Sequence, residues 1–184
     1  AAYNMMFVRT DVFGALGLKP PNTWEDVLDI LPTLQENGMT FMYPKTSVVQ
    51  LSGTTFLTAK PDFITPYYQN GAEFYADNGL LPRIADEAGY KAFKEWVDWY
   101  GKYNLPRDVP EFFHHFRFGG MPAGVGDINT YIQLMTAAPE LAGNWIMLPV
   151  PGVVQPDGTV ARWTPQGVTA AMILESSDKK ELAW

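Results

Sequence analysis

A layered domain of the α/β or α+β class is what this sequence predicts, on three observations. Short apolar runs that read as strands alternate with amphipathic runs that read as helices along the whole chain. The 184 residues are 47% hydrophobic and only 18% charged, enough for one ordinary core and too apolar for disorder. No internal repeat or low-complexity tract breaks the alternation, so residues 1–184 are expected to form one unit.

Taken in order, Tyr3 to Val8 reads as a buried strand. A short helix follows from Arg9-Thr10-Asp11, with Val12, Phe13, Ala15 and Leu16 as its apolar face and Gly17 as its close. Pro20-Pro21 brings the chain in extended, and Thr23 with Asp26 has capping-box spacing for a helix from Trp24 to Gln35. Val27, Leu28, Leu31 and Leu34 share one side, Pro32 is expected to kink the helix or mark a tightened segment, and Asn37-Gly38 ends it. Met39 to Tyr43 is strand-like and Pro44 stops it. Thr46 to Tyr68 reads as a helix plus irregular connections, interrupted by Pro61 and Pro66. A turn is expected at Asn78-Gly79.

Asp86 to Tyr103 gives the clearest helix, with Phe93, Trp96, Val97 and Tyr100 as its apolar stripe. Glu111 to Phe118 is a second short helix, broken by Gly119-Gly120. Met121 to Gly126 is a small-residue strand, and Asp127 caps a helix from Ile128 to Ala137 with Pro139 beyond it. Trp145 to Val150 and Val168 to Leu174 are further strands, separated by a turn at Pro156-Asp157-Gly158. A last helix begins near Lys179.

Composition removes several function classes. Without cysteine there is no thiol nucleophile, disulfide, zinc finger or iron–sulfur site. A net charge of −7 with no Lys/Arg cluster argues against a nucleic-acid partner. No run approaches the roughly 18 apolar residues of a spanning helix. His114-His115 with Glu111 matches no common zinc spacing and reads as part of an amphipathic helix, so no metal or other cofactor is expected. Gly-x-Ser-x-Gly is absent, Gly124-x-Gly126 lacks the third glycine of a dinucleotide loop, and the acids beside Trp24 and Trp99 sit on helix surfaces or caps. The sequence offers no catalytic mechanism.

Binding suits it better. Aromatic residues make up 14% of the chain, and a sugar presents an apolar C–H face to a ring and hydroxyls to amides and carboxylates. Tyr43 at a strand end, Asp127 and Asn129 at a helix start, and the Arg162-Trp163-Thr164-Pro165-Gln166 stretch are placed to meet at one cleft edge. Each also has a plain structural reading, Asp127 as a cap and Trp163 as core cover.

The order of these features resembles family 1 extracellular solute-binding proteins, the maltose-binding-protein relatives of ABC importers. The resemblance rests on Tyr3 to Asp11, Leu16-Gly17-Leu18, Pro20-Pro21-Asn22-Thr23-Trp24-Glu25-Asp26, Asn70-Gly71-Ala72, Phe118-Gly119-Gly120-Met121-Pro122-Ala123, Pro139-Glu140-Leu141, Leu148-Pro149-Val150-Pro151-Gly152 and Ser176 to Trp184. It implies a single layered α/β lobe of a two-lobed, Venus-flytrap periplasmic-binding-protein fold. The first lobe and the helices beyond Trp184 are expected to lie outside this chain, which begins Ala1-Ala2-Tyr3-Asn4 without an initiator Met. A small-molecule solute, a sugar, is the implied ligand, with the missing lobe and an ABC-transporter permease as partners and an extracellular or periplasmic, lipoprotein-anchored location. Carried over by position, the cleft residues are Tyr43, Asp127, Asn129, Tyr131, Trp163 and Gln166. Relatives often place a Trp just after the small-residue strand; here Gly126 to Tyr131 has none, which argues against a maltodextrin-like ligand unless Tyr131 or Trp163 replaces that ring. The alternatives are a carbohydrate-active enzyme fragment, a carbohydrate-binding module, or a lobe whose aromatics bind a protein partner.

Overall fold

The computed structural model describes residues 2–43, 47–51, 54–58, 63–76, 79, 81–107, 111–164, 166–167 and 172–183. In chain order its strands are β1 (Ala2–Tyr3), β2 (Met5–Arg9), β3 (Phe41–Met42), β4 (Ser47–Leu51), β5 (Thr54–Thr58), β6 (Ala123–Gly126), β7 (Trp145–Leu148), β8 (Val153–Val154), β9 (Val160–Ala161) and β10 (Gln166–Gly167). Its helices are α1 (Thr10–Ala15), α2 (Trp24–Glu36), α3 (Ile64–Gln69), α4 (Glu87–Gly101), α5 (Phe112–Arg117), α6 (Ile128–Ala137) and α7 (Lys180–Ala183), with a 3₁₀ turn at Pro139–Leu141.

A four-stranded sheet in the order β3-β6-β2-β7 forms the centre. β2 runs antiparallel to both neighbours, with Met5 opposite Gly126 and Arg9 opposite Trp145, while β3 runs parallel to β6. Successive side chains leave a strand on opposite faces, and here both faces are covered. Met6, Val8, Phe41, Ala123 and Val125 join a core with Trp24, Val27 and Leu31 of α2 and Trp99 and Tyr100 of α4. Phe7 and Met42 face the other way, into a core with Phe112 and Phe116 of α5 and Leu134 of α6. Helices on both sides of one sheet make the layered α/β architecture. They also explain why β2 reads as an unbroken apolar run.

The small residues of β6 follow from this. A Cβ at Gly124 would stand 2.6 Å from Met42 Cβ and 2.8 Å from the Phe112 ring, and one at Gly126 would stand 2.6 Å from Thr130 Oγ1. Both glycines lie on the α5/α6 side, where sheet and helices approach too closely for a methyl group. At the far end of β2, buried Arg9 donates to the carbonyls of Phe116 and Arg117 at 2.9 Å and pairs with Asp11 at 2.6 Å. It thereby satisfies carbonyls at the end of α5.

The local signals are mostly realised. Thr23 accepts from the Asp26 amide and the Asp26 carboxylate accepts from the Thr23 amide, a complete capping box on α2. α2 runs on past Pro32, which is exposed near its last turn, so the expected kink does not end the helix. Asp86 caps α4 through Gly89 N at 2.8 Å. Of the turn expected at Asn78-Gly79, Asn78 lies outside the described residues, and Gly79, at φ +67°, donates to the Ala76 carbonyl. The turn expected at Pro156-Asp157-Gly158 closes β8 onto β9, a strand pair beyond what the sequence predicts.

Other expectations change. The opening strand divides at Asn4, because β1 pairs with β10 while β2 enters the central sheet. Of Thr46 to Tyr68, the described residues form an antiparallel strand pair, β4 on β5, and α3, while 46, 52–53 and 59–62 lie outside the described residues. Val48, Val49, Thr54, Thr55 and Thr58 are β-branched residues in two five-residue runs two positions apart, a strand pattern rather than a helical one. Pro66 does not break α3, because it sits in the first turn, where an amide has no partner within the helix. On α4 the buried face is Gly89, Ala92, Trp99 and Tyr100, whereas Phe93 is 50% exposed and Val97 is also exposed. The stripe is rotated toward Trp99 because Trp24 and Tyr43 provide the partners there. Of the expected strand at Val168 to Leu174, residues 168–171 lie outside the described residues, and 172–174 form no strand. α7 begins one residue after Lys179.

Candidate functional site

β3 and β6 are parallel and end at Met42 and Gly126, so Tyr43 and Asp127 leave the sheet at the same, carboxyl end. Open α/β sheets form ligand crevices there. β2 starts at this end, since Met5 lies opposite Gly126, and two residues earlier Tyr3 pairs with Gln166. Strand pairing thus brings the Asp127 region and the Gln166 region to one end of the sheet.

Asp127 is half-buried and caps α6, accepting from the amides of Asn129 at 3.0 Å and Thr130 at 3.4 Å. Exposed Asn129 turns back and donates Nδ2 to the other Asp127 oxygen at 3.1 Å. The two are therefore one polar unit at the start of a helix, the end favourable to electronegative groups. Trp163 is 39% exposed, with one face on Tyr68 at 4.4 Å between centroids. A partly exposed indole held against a second ring has the surface chemistry of a stacking platform. Gln166 lies in β10 opposite Tyr3.

The remaining expectations fare differently. Tyr43 is 3% exposed and packs edge-on against Trp24 at 4.9 Å and Trp99 at 5.3 Å, so its ring belongs to the core rather than to a cleft. The reason is the strand period: Tyr43 follows Phe41 by two and shares its buried face. Tyr131 is half-buried, lying edge-on to Trp145 at 6.0 Å and packing on the α5/α6 core. Arg162, part of the same stretch as Trp163, donates to the carbonyls of Val150 at 2.9 Å and Asn22 at 3.1 Å and to the Asn22 side chain, which fixes the approach to Trp163.

Two residues escaped the sequence reading: Tyr68, which supports the Trp163 ring, and Gln69, which holds its carbonyl. The available signal was a single amide at the end of an aromatic run, Tyr67-Tyr68-Gln69, just before a turn. His114 and His115 are exposed on α5, and among the described residues no group of three metal-ligating side chains gathers. No helix among them is long and apolar enough to cross a membrane.

Solved structures share this fold. The sugar-binding protein MalE from the phytopathogen Xanthomonas citri aligns with a TM-score of 0.70 at 17% identity, over 100% of this chain and 45% of that one. Maltose-bound MalE3 of T. maritima aligns at 0.65 and 14%, over 86% and 40%. A Thermotoga lettingae TMO ABC-transporter solute-binding protein bound with α-D-tagatose aligns at 0.64 and 18%, over 84% and 40%. The chain thus spans less than half the length of the structures it resembles. No curated protein sequence matches it significantly. The profile of bacterial extracellular solute-binding proteins matches residues 1–184 throughout, and the chain belongs to that family.

Proposed function

We propose that this chain is one α/β lobe of a two-lobed extracellular receptor that captures a sugar for an ABC importer and performs no bond chemistry. The observation that carries the reading is Trp163, a partly exposed ring held against Tyr68 three residues before the strand that pairs with Tyr3, in a chain matched throughout by a solute-binding family. The neighbouring structures support the ligand class: their names give tagatose, maltose and sugar as what those proteins bind. Trp163 stacks on the apolar face of the solute, and Asp127, Asn129 and Gln166 meet its hydroxyls. The second lobe closes over the solute, an importer permease receives it, and a lipoprotein anchor holds the receptor at the extracellular or periplasmic face.

Calorimetry with tagatose, ribitol, maltose and maltotriose tests this. One lobe supplies part of the contacts, so dissociation constants near 1 mM, about −4 kcal/mol, are expected. Loss of binding in Trp163→Ala supports the site. Binding that survives substitution of Trp163, Asp127, Asn129 and Gln166 removes the assignment. Hydrolysis of an aryl glycoside that a single carboxylate substitution abolishes would establish an enzyme instead.

A further inference from the structure

We infer that Gln69 is a positioning residue for the solute-stacking ring of Trp163, a reading that rests on the proposed receptor function. Gln69 is 0% exposed, although a buried primary amide is costly unless its hydrogen-bonding capacity is met. Here it is met from three separate parts of the chain. Oε1 accepts from Trp24 Nε1 at 2.7 Å, and Nε2 donates to the carbonyls of Pro151 at 3.1 Å and Trp163 at 2.9 Å. The amide orientation is dictated chemically, since an indole N–H only donates and carbonyls only accept. The Gln69 main-chain carbonyl takes a fourth bond, from Gln155 Nε2 at 2.9 Å.

These bonds converge on the segment that carries the open ring. α3 grips Trp163 twice, through Tyr68 against the indole and through Gln69 on the carbonyl of the same residue. The two gripping residues are consecutive, so ring and main chain are set by one helix end. Gln69 also ties that helix end to the Trp24 core and to the loop after β7. A network of this kind is costly when half-satisfied and rigid when complete, which suits a platform that must present one ring face to solvent.

Gln69→Met keeps the volume and removes the bonds, and Gln69→Glu keeps the acceptor for Trp24 while its ionised form cannot donate to Trp163. Both go into the full chain, with circular dichroism as the folding check and the Glu form as the second variant if Met alone fails to fold. Among the six tryptophans, the Trp163 indole ¹H–¹⁵N resonance is assigned by its loss in Trp163→Phe. It should shift or broaden in both Gln69 variants, whereas the Trp24 resonance should move more in Gln69→Met than in Gln69→Glu. Affinity for whichever sugar of the tagatose, ribitol, maltose and maltotriose panel binds the parent chain should fall roughly tenfold in Gln69→Met. An unmoved Trp163 resonance overturns the proposal whatever the sugars do, and so does a sugar affinity unchanged in Gln69→Met. A parent chain that binds no sugar, with the Trp163 resonance still moving, overturns the receptor reading and reduces Gln69 to a packing residue.

Discussion

Trp24 lies on Trp99 with 4.4 Å between ring centroids and 34° between planes; Trp163 lies on Tyr68 at 4.4 Å and 35°. The ring pairs match in geometry and differ in what covers them. Trp24 and Trp99 are 5% and 2% exposed, with Phe41 and Tyr43 edge-on to Trp24, whereas Trp163 keeps 39% of its surface open. Geometry between rings therefore carries no information about role; the surroundings of the far face do. One pair spends its area on folding and the other leaves area open, which is where the proposed receptor function needs it.

Four substitutions and one pH series bear on that contrast, in decreasing order of expected effect on stability. Trp99→Ala empties the centre of the larger core and should cost about 3–5 kcal/mol in urea unfolding; a loss under about 1 kcal/mol would erase the distinction between the pairs. Gly124→Ala should cost about 1–3 kcal/mol, because the new methyl meets Met42 and Phe112 on the opposite face of the sheet, while sugar affinity stays unchanged in calorimetry. Asp127→Ala removes the α6 cap and should lower stability by about 1 kcal/mol while also weakening sugar binding, so it alone should affect both readouts. Trp163→Ala should change stability by less than about 1 kcal/mol and still abolish measurable sugar binding.

The pH series probes the end of β2 remote from Trp163. The hydrogen bond from the Arg9 side chain, opposed by burial and helped by the Val12 amide, holds the Asp11 carboxyl below its ordinary value. A depressed carboxylate adds stability that is fully present above the unfolded-state value and is lost as pH falls through the folded one. Thermal melts of the parent chain and Asp11→Asn should therefore differ at neutral pH and converge on acidification below about pH 4. Sugar affinity at neutral pH should be the same in both.

Elements with a local cause could be read directly. Thr23 and Asp26 specify the start of α2, Asp127 specifies the start of α6, and Ile128–Ala137 was bounded correctly by its cap and by Pro139. These depend on side chains within three or four positions of the backbone groups they satisfy. Ser47–Leu51 and Thr54–Thr58 carry a strand signal in their β-branched residues, which overrides the helix expected there. The α4 stripe was read at the right period and the wrong rotation, since Trp96, Val97, Trp99 and Tyr100 offer two overlapping apolar faces. Which one is buried depends on Trp24 and Tyr43, more than fifty positions away.

Of the candidate site, Trp163, Asp127 and Asn129 keep side chains at the surface or at its edge, while Tyr43 lies in one core and half-buried Tyr131 packs against the other. The burial of Tyr43 is legible in its two-residue spacing to Phe41, whereas that of Tyr131, on α6, depends on Trp145 of β7. Gln69 was invisible for the same reason, its partners lying 45, 82 and 94 positions away.

The sequence by itself determined the class of fold, the caps and turns, the family and the small residues of β6, because each follows from a short-range rule or an ordered set of motifs. The tertiary structure alone decided which of many aromatic rings face a core and which faces water. That choice depends on long-range burial, and a ring's own identity is the same in both places.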